Sequence, residues 1–504
     1  MEPSGKADTG NARTSSNQLV AALFVLLVIY SAIRLSVAAR ENPFWYDEIL
    51  TQAIAGQSSF ALTMRALVDG ADSHTPFFYL IERWALRVSR HEQFALRLPS
   101  VIAFGVTLFC VFVYARRRWT GLQALACAAF LIATSAFQQY AAEARAYSML
   151  LACFALALVC YDRLPSRVWT VGFAVSLLMA QAIHYYAVFS IAPFALAELI
   201  QVWMGSVRWK VWGAICCVLV PLVTTWRLLA TLRRTYAVHF WAHSALQSVP
   251  VAYGELLTYG PLVGSVVSMV FFAIQAREIS RLFRSNERSS EMSDSILRIS
   301  LLLLPIITFL PAALLHGPVI SRYVIVTILG IVLTFGSFRS APKGANVVVV
   351  SFLVIHAAIG EAIFWNSVHS QLASRPTAPV ESLIERAGHA ELPVVVGHGL
   401  VFLPLEKYAS PQVRSRLVYP VDAAKAIQYS GTDSIDENLV RLRRYAPIAA
   451  PDFSEFARDH SAFLLYTRKL EPDLDWLTPY LAKSASSVEL LAQDNSGRVV
   501  LVKM

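Results

Sequence analysis

The chain has 504 residues, 56% of them hydrophobic and 15% charged, with a mean hydropathy of +0.51 and a formal net charge of +9. A soluble protein of this length does not carry that composition, which belongs to polytopic membrane proteins. The positive balance is therefore read loop by loop as an orientation signal and calls for no nucleic-acid partner.

Residues 1–17 are polar, with neither the apolar core nor the cleavage site of a signal peptide, and read as a cytoplasmic tail ahead of a retained first span. Apolar runs long enough to cross a bilayer lie at Gln18–Ala38, Leu98–Ala115, Leu122–Phe137, Ala146–Tyr161, Val168–Ile183 and Ala187–Met204. They continue at Val211–Trp226, Leu256–Gln275, Ile299–Leu315, Val319–Phe338 and Ala345–Phe364. The expectation is a polytopic α-helical membrane module over 18–364, with about eleven transmembrane helices.

Basic residues fall in every second connection: Arg116–Arg118, Arg163 with Arg167, Arg208 with Lys210, Arg277–Arg298, and Arg339 with Lys343. The positive-inside rule puts these in the cytoplasm. The parity holds only if the stretch from His74 to Val88, which carries Glu82, Arg83 and Arg87, lies in the interface as a helix and does not span. The outer-facing connections are then 39–97, 138–145, 184–186, 227–255 and 316–318, together with the tail after Trp365.

The six cysteines, Cys110, Cys127, Cys153, Cys160, Cys216 and Cys217, all fall in apolar segments and read as buried, inert thiols without a zinc-like spacing. Within the spans the ionisable residues are Glu198, His356 and Glu361, candidates by position alone. A neutral or locally paired structural role competes for Glu198.

Residues 365–504 read as a soluble α/β domain on the outer face. Its strand-like runs are Pro393–Val396, Ala462–Tyr466, Val488–Leu491 and Val499–Val502. The segment Leu490–Val502 predicts a terminal hairpin about an Asn-Ser-Gly turn. The chain shows no internal repeat, phosphate-binding glycine loop or nucleotide fingerprint, so a soluble nucleotide-sugar or ATP is not the expected substrate.

The unusual polar residues collect on the outer connections. Asp47-Glu48 opens the first loop, and His74-Thr75-Pro76-Phe77-Phe78-Tyr79 begins the interfacial helix. Arg97-Leu98-Pro99-Ser100 starts the second span, and Glu143-Ala144-Arg145-Ala146-Tyr147 follows the third. His184-Tyr185-Tyr186 caps the fifth, and Ser321-Arg322-Tyr323 opens the tenth. Taken singly these have plainer readings: a solvated acidic pair, an edge ion pair at Glu143 and Arg145, a snorkelling Arg322, an aromatic belt at 184–186.

In this order and spacing the set resembles the glycosyltransferase C (GT-C) superfamily, in the family 39-like branch of aminoarabinose lipid A transferases and protein O-mannosyltransferases. The resemblance covers Gln18 to about Tyr323. It departs where Thr75 precedes a single proline and where Ala146 stands in place of a proline.

The resemblance implies a glycosyltransferase of the bacterial plasma (inner) membrane, with its C-terminal domain periplasmic or extracellular. Its expected partners are a polyprenyl-phosphate sugar donor of the undecaprenyl type, a lipid, glycan or protein acceptor, and the lipid bilayer. The transfer inverts the sugar. Such chemistry needs a base for the acceptor hydroxyl and fixed cations for a leaving phosphate. Asp47 is the expected base, with Glu48 orienting it or helping to bind a metal. Arg145, Arg322 and His74 are the expected phosphate cations, with Tyr79, Glu143, Tyr147, His184 and Tyr323 completing the donor site. The basic loop adds Arg234, and His239 with His243, one helical turn apart, as a pair for a divalent metal ion. A lipid-linked glycan ligase or polymerase, a transporter or flippase, and a scaffold whose outer domain does the binding are the rival readings. Unbroken spans with polar groups at their outer ends weigh against transport.

Overall fold

The computed structural model describes residues 7–236, 238–242, 244–258, 260–284, 290–315, 317–336, 343–373, 375–470 and 473–504. These form two compact units. The first takes in residues up to 40, 97–224 and 244–365; the second takes in 41–96, 225–243 and 366–504.

The first unit is helical. Among the described residues, three helices are long and apolar enough to cross a bilayer: Ser16–Glu41, Glu92–Arg118 and Pro261–Arg284. Up to five spans result if each of two bent pairs counts as one. One such pair, Glu291–Leu302 and Leu304–Leu314, turns by 58°; Pro305 begins the second helix, where its missing N–H costs no hydrogen bond. Other apolar segments are shorter than the sequence predicts. The expected span 187–204 breaks at Ile191 ahead of Pro193, and the one at 122–137 ends at Ile132 before a π-helical turn, Ala136–Tyr140. The spans are therefore not all unbroken, and that part of the case against transport falls.

Glycines set the tightest helix approaches. A Cβ on Gly264 would lie 2.4 Å from the Gly254 Cα, and one on Gly330 would lie 2.4 Å from the Leu302 backbone nitrogen. Small residues at such crossings let backbones approach where apolar burial alone supplies no driving force.

The connections gather at opposite ends of the helix Tyr147–Tyr161. At its Tyr161 end, Arg117 and Arg118 pair with Asp162, and Arg118 reaches Asp294 at 2.7 Å. Beside them the fully buried Glu198 is paired with Arg208 and accepts the Tyr161 O–H at 2.7 Å. This is the locally paired role. At the Tyr147 end lie Tyr140, His184 and Tyr323 of the same unit. Near that end Arg34 sits 3.5 Å from Glu361, donates to Gln138 at 3.0 Å and lies over the Phe364 ring, giving Glu361 a partner that the sequence did not suggest. Of the cysteines, Cys110, Cys127 and Cys160 are buried as expected, whereas Cys216 is exposed on the apolar helix Trp209–Cys216.

The second unit is built on a five-stranded sheet: β1 (Val394–Val396), β2 (Leu417–Val418), β3 (Ala462–Thr467), β4 (Ser487–Asp494) and β5 (Gly497–Lys503). Their order is β2-β1-β3-β5-β4, parallel through the first three and antiparallel at β5 and β4. The predicted hairpin is β4–β5, closing at Asp494↔Gly497 about Asn495-Ser496. β1 is buried throughout, as suits a parallel strand covered on both faces. β4 is an exposed edge, its register shifted between Leu490 and Ala492 by an irregularity of the kind that blunts edge pairing. Phe453, Phe463, Leu465, Trp476 and Val502 form the core.

Residues 41–96 belong to this unit. They fold as helices Tyr46–Ala55, Phe60–Val68 and Pro76–Ala85. Pro76–Ala85, read from the sequence as interfacial, has ten residues and extends about 15 Å, half the hydrocarbon thickness. One face packs inside the unit, where Glu82 is fully buried and Arg83 donates to the Ala55 and Gln57 carbonyls at 2.9 and 2.6 Å, while Leu80 and Trp84 are exposed on the other.

Candidate functional site

In the second unit the acidic pair opens a helix. Trp45 is its N-cap, and the Glu48 carboxylate accepts the Trp45 backbone N–H at 3.3 Å, one half of a capping box. Glu48 is buried in that role, while Asp47 stays half-buried in the first turn, where free N–H groups face a negative charge. Tyr46, between Trp45 and Asp47, is buried and donates its O–H to Asn438 Oδ1 at 2.7 Å. Burial first, and then the negative charge of Asp47, pushes the Tyr46 hydroxyl well above the ordinary tyrosine value, so it stays a donor.

His74 precedes Thr75, the N-cap of helix Pro76–Ala85. Its Nδ1 lies 3.4 Å from Asp72 Oδ2, and its ring is 4.8 Å from that of Phe78. Tyr79 is fully buried, with its hydroxyl given to the same Asp72 oxygen at 2.5 Å. Asp72 thus organises two predicted residues, although it lies outside the motif that begins at His74. Its place two residues ahead of His74 was the available signal. Arg234 is exposed on helix Trp226–Tyr236. His239 lies near Asp433, and its carbonyl accepts from Ser434 at 3.4 Å. His243 lies outside the described residues. Among the described residues no three His, Cys, Asp or Glu side chains are grouped as a metal ion would require.

In the first unit, residues far apart in sequence converge. Glu143 and Arg145 are buried in the turn before helix Tyr147–Tyr161, and the Ser100 hydroxyl fixes that turn by donating to the Arg145 carbonyl at 3.1 Å. Arg97 donates to the Ala38 and Ala39 carbonyls at the end of the first helix, at 3.3 Å each. The Arg-Leu-Pro-Ser motif therefore serves as a brace. Tyr147 lies 5.9 Å from His184, which is 5.3 Å from Tyr323, ring centre to ring centre. The Arg322 guanidinium sits over both the Tyr147 and Tyr323 rings at 5.8 Å. Tyr186 completes the group at 4.6 Å from Tyr323. A half-buried guanidinium framed by aromatic faces is held for a planar, bidentate anion better than a flexible ammonium would be.

Beside it, Ser321 donates to the carboxylate of Glu255, an exposed acid on helix Ser248–Leu256. Glu255 went unnoticed, although it is the lone acid of an apolar helix.

The sequence matches no family model, and no curated protein matches it. Solved structures do. ArnT from Cupriavidus metallidurans in the apo state is similar to this chain at 13% identity and a TM-score of 0.53, over 96% of this chain and 98% of that one. ArnT bound to undecaprenyl phosphate gives 15% identity and a TM-score of 0.52, over 95% and 97%. The chain shares the fold of these structures. At this identity the likeness to ArnT carries the fold alone, and chemistry has to be argued from the side chains.

Proposed function

We propose that this protein is a membrane glycosyltransferase that moves a sugar from a polyprenyl-phosphate donor of the undecaprenyl type to an acceptor hydroxyl, with inversion. The observation that carries the proposal is the convergence of Tyr147, His184, Arg322 and Tyr323, drawn from three distant motifs, on a fold shared along nearly the whole of ArnT. That ArnT binds undecaprenyl phosphate supports a donor of the same class.

The acceptor oxygen attacks the anomeric carbon as its bond to the phosphate oxygen breaks. Asp47 takes the acceptor proton, and the electron pair of the broken bond leaves on the polyprenyl phosphate. Asp47 is the base because it is half-buried and within reach of solvent, while Glu48 is engaged at the start of its own helix. Arg145, Arg322 and His74 neutralise the phosphate, whose existing charge makes a general acid unnecessary. Tyr147, His184, Tyr323 and Glu143 shape the donor site, and Tyr79 acts on His74 through Asp72. Arg234 adds positive charge for an anionic lipid. No step is routed through a metal.

The family 39-like branch, a bacterial plasma membrane, a cytoplasmic N-terminal tail, about eleven spans and a periplasmic 365–504 domain complete the proposal. The basic connections that share Asp162 and Asp294 would lie on the cytoplasmic side. The test is release of sugar from a panel of radiolabelled undecaprenyl-phosphate sugars by reconstituted protein, wild type against Asp47→Asn. Turnover of one donor that is lost in the variant supports both the class and the base. Turnover that survives moves the base elsewhere, and no turnover in folded protein given acceptors and divalent metal ends the transferase reading.

A further inference from the structure

We propose that Asn438, in the sheet-bearing part of the second unit, is a positioning residue that fixes the Asp47 helix and the Asp72–His74 turn to each other. The proposal rests on the transferase reading above.

Asn438 lies on helix Ser434–Leu442 with 7% of its surface exposed. An asparagine amide offers an acceptor oxygen and two N–H donors in one rigid plane. The oxygen and one N–H are turned toward the functional segments. Oδ1 accepts the Tyr46 O–H at 2.7 Å, one residue ahead of Asp47. Nδ2 donates to the Ala71 carbonyl at 2.7 Å, one residue ahead of Asp72. Tyr236 lies beside the amide, and its hydroxyl donates to the Gly70 carbonyl at 2.6 Å. One side chain therefore joins the start of the base-bearing helix and the turn that holds His74.

Packing alone does not require this arrangement, because an apolar residue of the same volume would fill the space. It would leave a buried Tyr46 hydroxyl and a buried Ala71 carbonyl without partners, and either loss lets a segment shift. A shift of about 1 Å in a reacting group costs rate far more than affinity. The role assigned to Asn438 is thus to set where Asp47 points, without touching substrate.

The experiment uses the full chain in proteoliposomes, with whichever undecaprenyl-phosphate sugar the wild type turns over. Asn438→Leu and Asn438→Ala should lower kcat about 10- to 100-fold while the donor KM stays within about twofold. Tyr46→Phe, which removes one hydroxyl and is the safer variant for folding, should lower kcat by a smaller factor in the same pattern. Hydrogen exchange, read without any substrate, should speed up over residues 46–55 and 70–79 while β3 and β5 stay protected.

An unchanged kcat with faster exchange would make Asn438 a structural tie only and overturn the positioning role. Unchanged exchange would overturn the tether itself, as would a loss confined to KM for the positioning. If the wild type turns over no donor, the transferase reading fails and the positioning role goes with it. The exchange data would still report separately whether Asn438 holds the two segments.

Discussion

The Tyr79 hydroxyl donates to the Asp72 carboxylate at 2.5 Å in a setting where both side chains are buried. Such a bond is worth most when its loss strands a charge. Tyr79→Phe keeps the ring and removes only the donor, so folding stability should drop by about 1–3 kcal/mol. Equilibrium denaturation in detergent measures this. A variant as stable as wild type would mean that the carboxylate finds another donor.

Arg322 should be indispensable to turnover. Replacing it with glutamine removes the cation framed by Tyr147 and Tyr323 and should lower kcat by about 10²–10³-fold. Lysine restores the charge but neither the fork nor the stacking, so Arg322→Lys should recover only part of the loss. Initial rates at saturating donor distinguish the two.

Glu198 is expected to matter for stability and not for chemistry. It is fully buried and accepts from Tyr161 and Arg208, so Arg208→Ala should cost about 3–5 kcal/mol by stranding its charge. The double variant Glu198→Gln with Arg208→Met should regain most of that stability. Turnover per folded molecule should be unchanged in both, as thermal melting alongside activity would reveal.

The second unit should lose stability as pH rises. Asp436 is buried and accepts from the Asp422 backbone N–H at 2.9 Å and Trp476 Nε1 at 3.1 Å; burial pushes its carboxyl up to about 7. A carboxyl raised in the folded state binds its proton more tightly there than when unfolded. The associated stability is complete below about pH 4 and is lost as pH climbs through about 7. Asp436→Asn keeps an acceptor for both N–H groups and cannot ionise, so it should flatten the decline between about pH 5 and 8. Unfolding midpoints across that range test it.

Much of the candidate site was legible because its residues carry chemistry in local motifs. Glu143–Tyr147, His184 and Arg322-Tyr323 stand out as polar interruptions at the ends of apolar runs, and the fold brings Tyr147, His184, Arg322 and Tyr323 together. The terminal hairpin was equally readable, because alternation and an Asn-Ser-Gly turn are local signals. Asn438 was not legible. Nothing around it distinguishes it from any amide on a polar helix, and its meaning comes only from Tyr46 and Ala71, hundreds of residues earlier in the chain. The helix breaks at Ile191 and Ile132 were missed because hydropathy measures apolar length and is blind to backbone continuity. β2 was missed because two residues carry no periodicity.

The sheet order bears on biosynthesis. β5 follows β4 in sequence yet sits between β3 and β4, and the unit it belongs to also holds the Asp47 helix. A ribosome that has made the first 96 residues has supplied the proposed base, but its supporting sheet does not close until residue 503 is out. Throughout elongation the nascent chain would hold a base that is not yet aimed. Under the proposed function, fragments released before residue 503 would lack that support and would be inert.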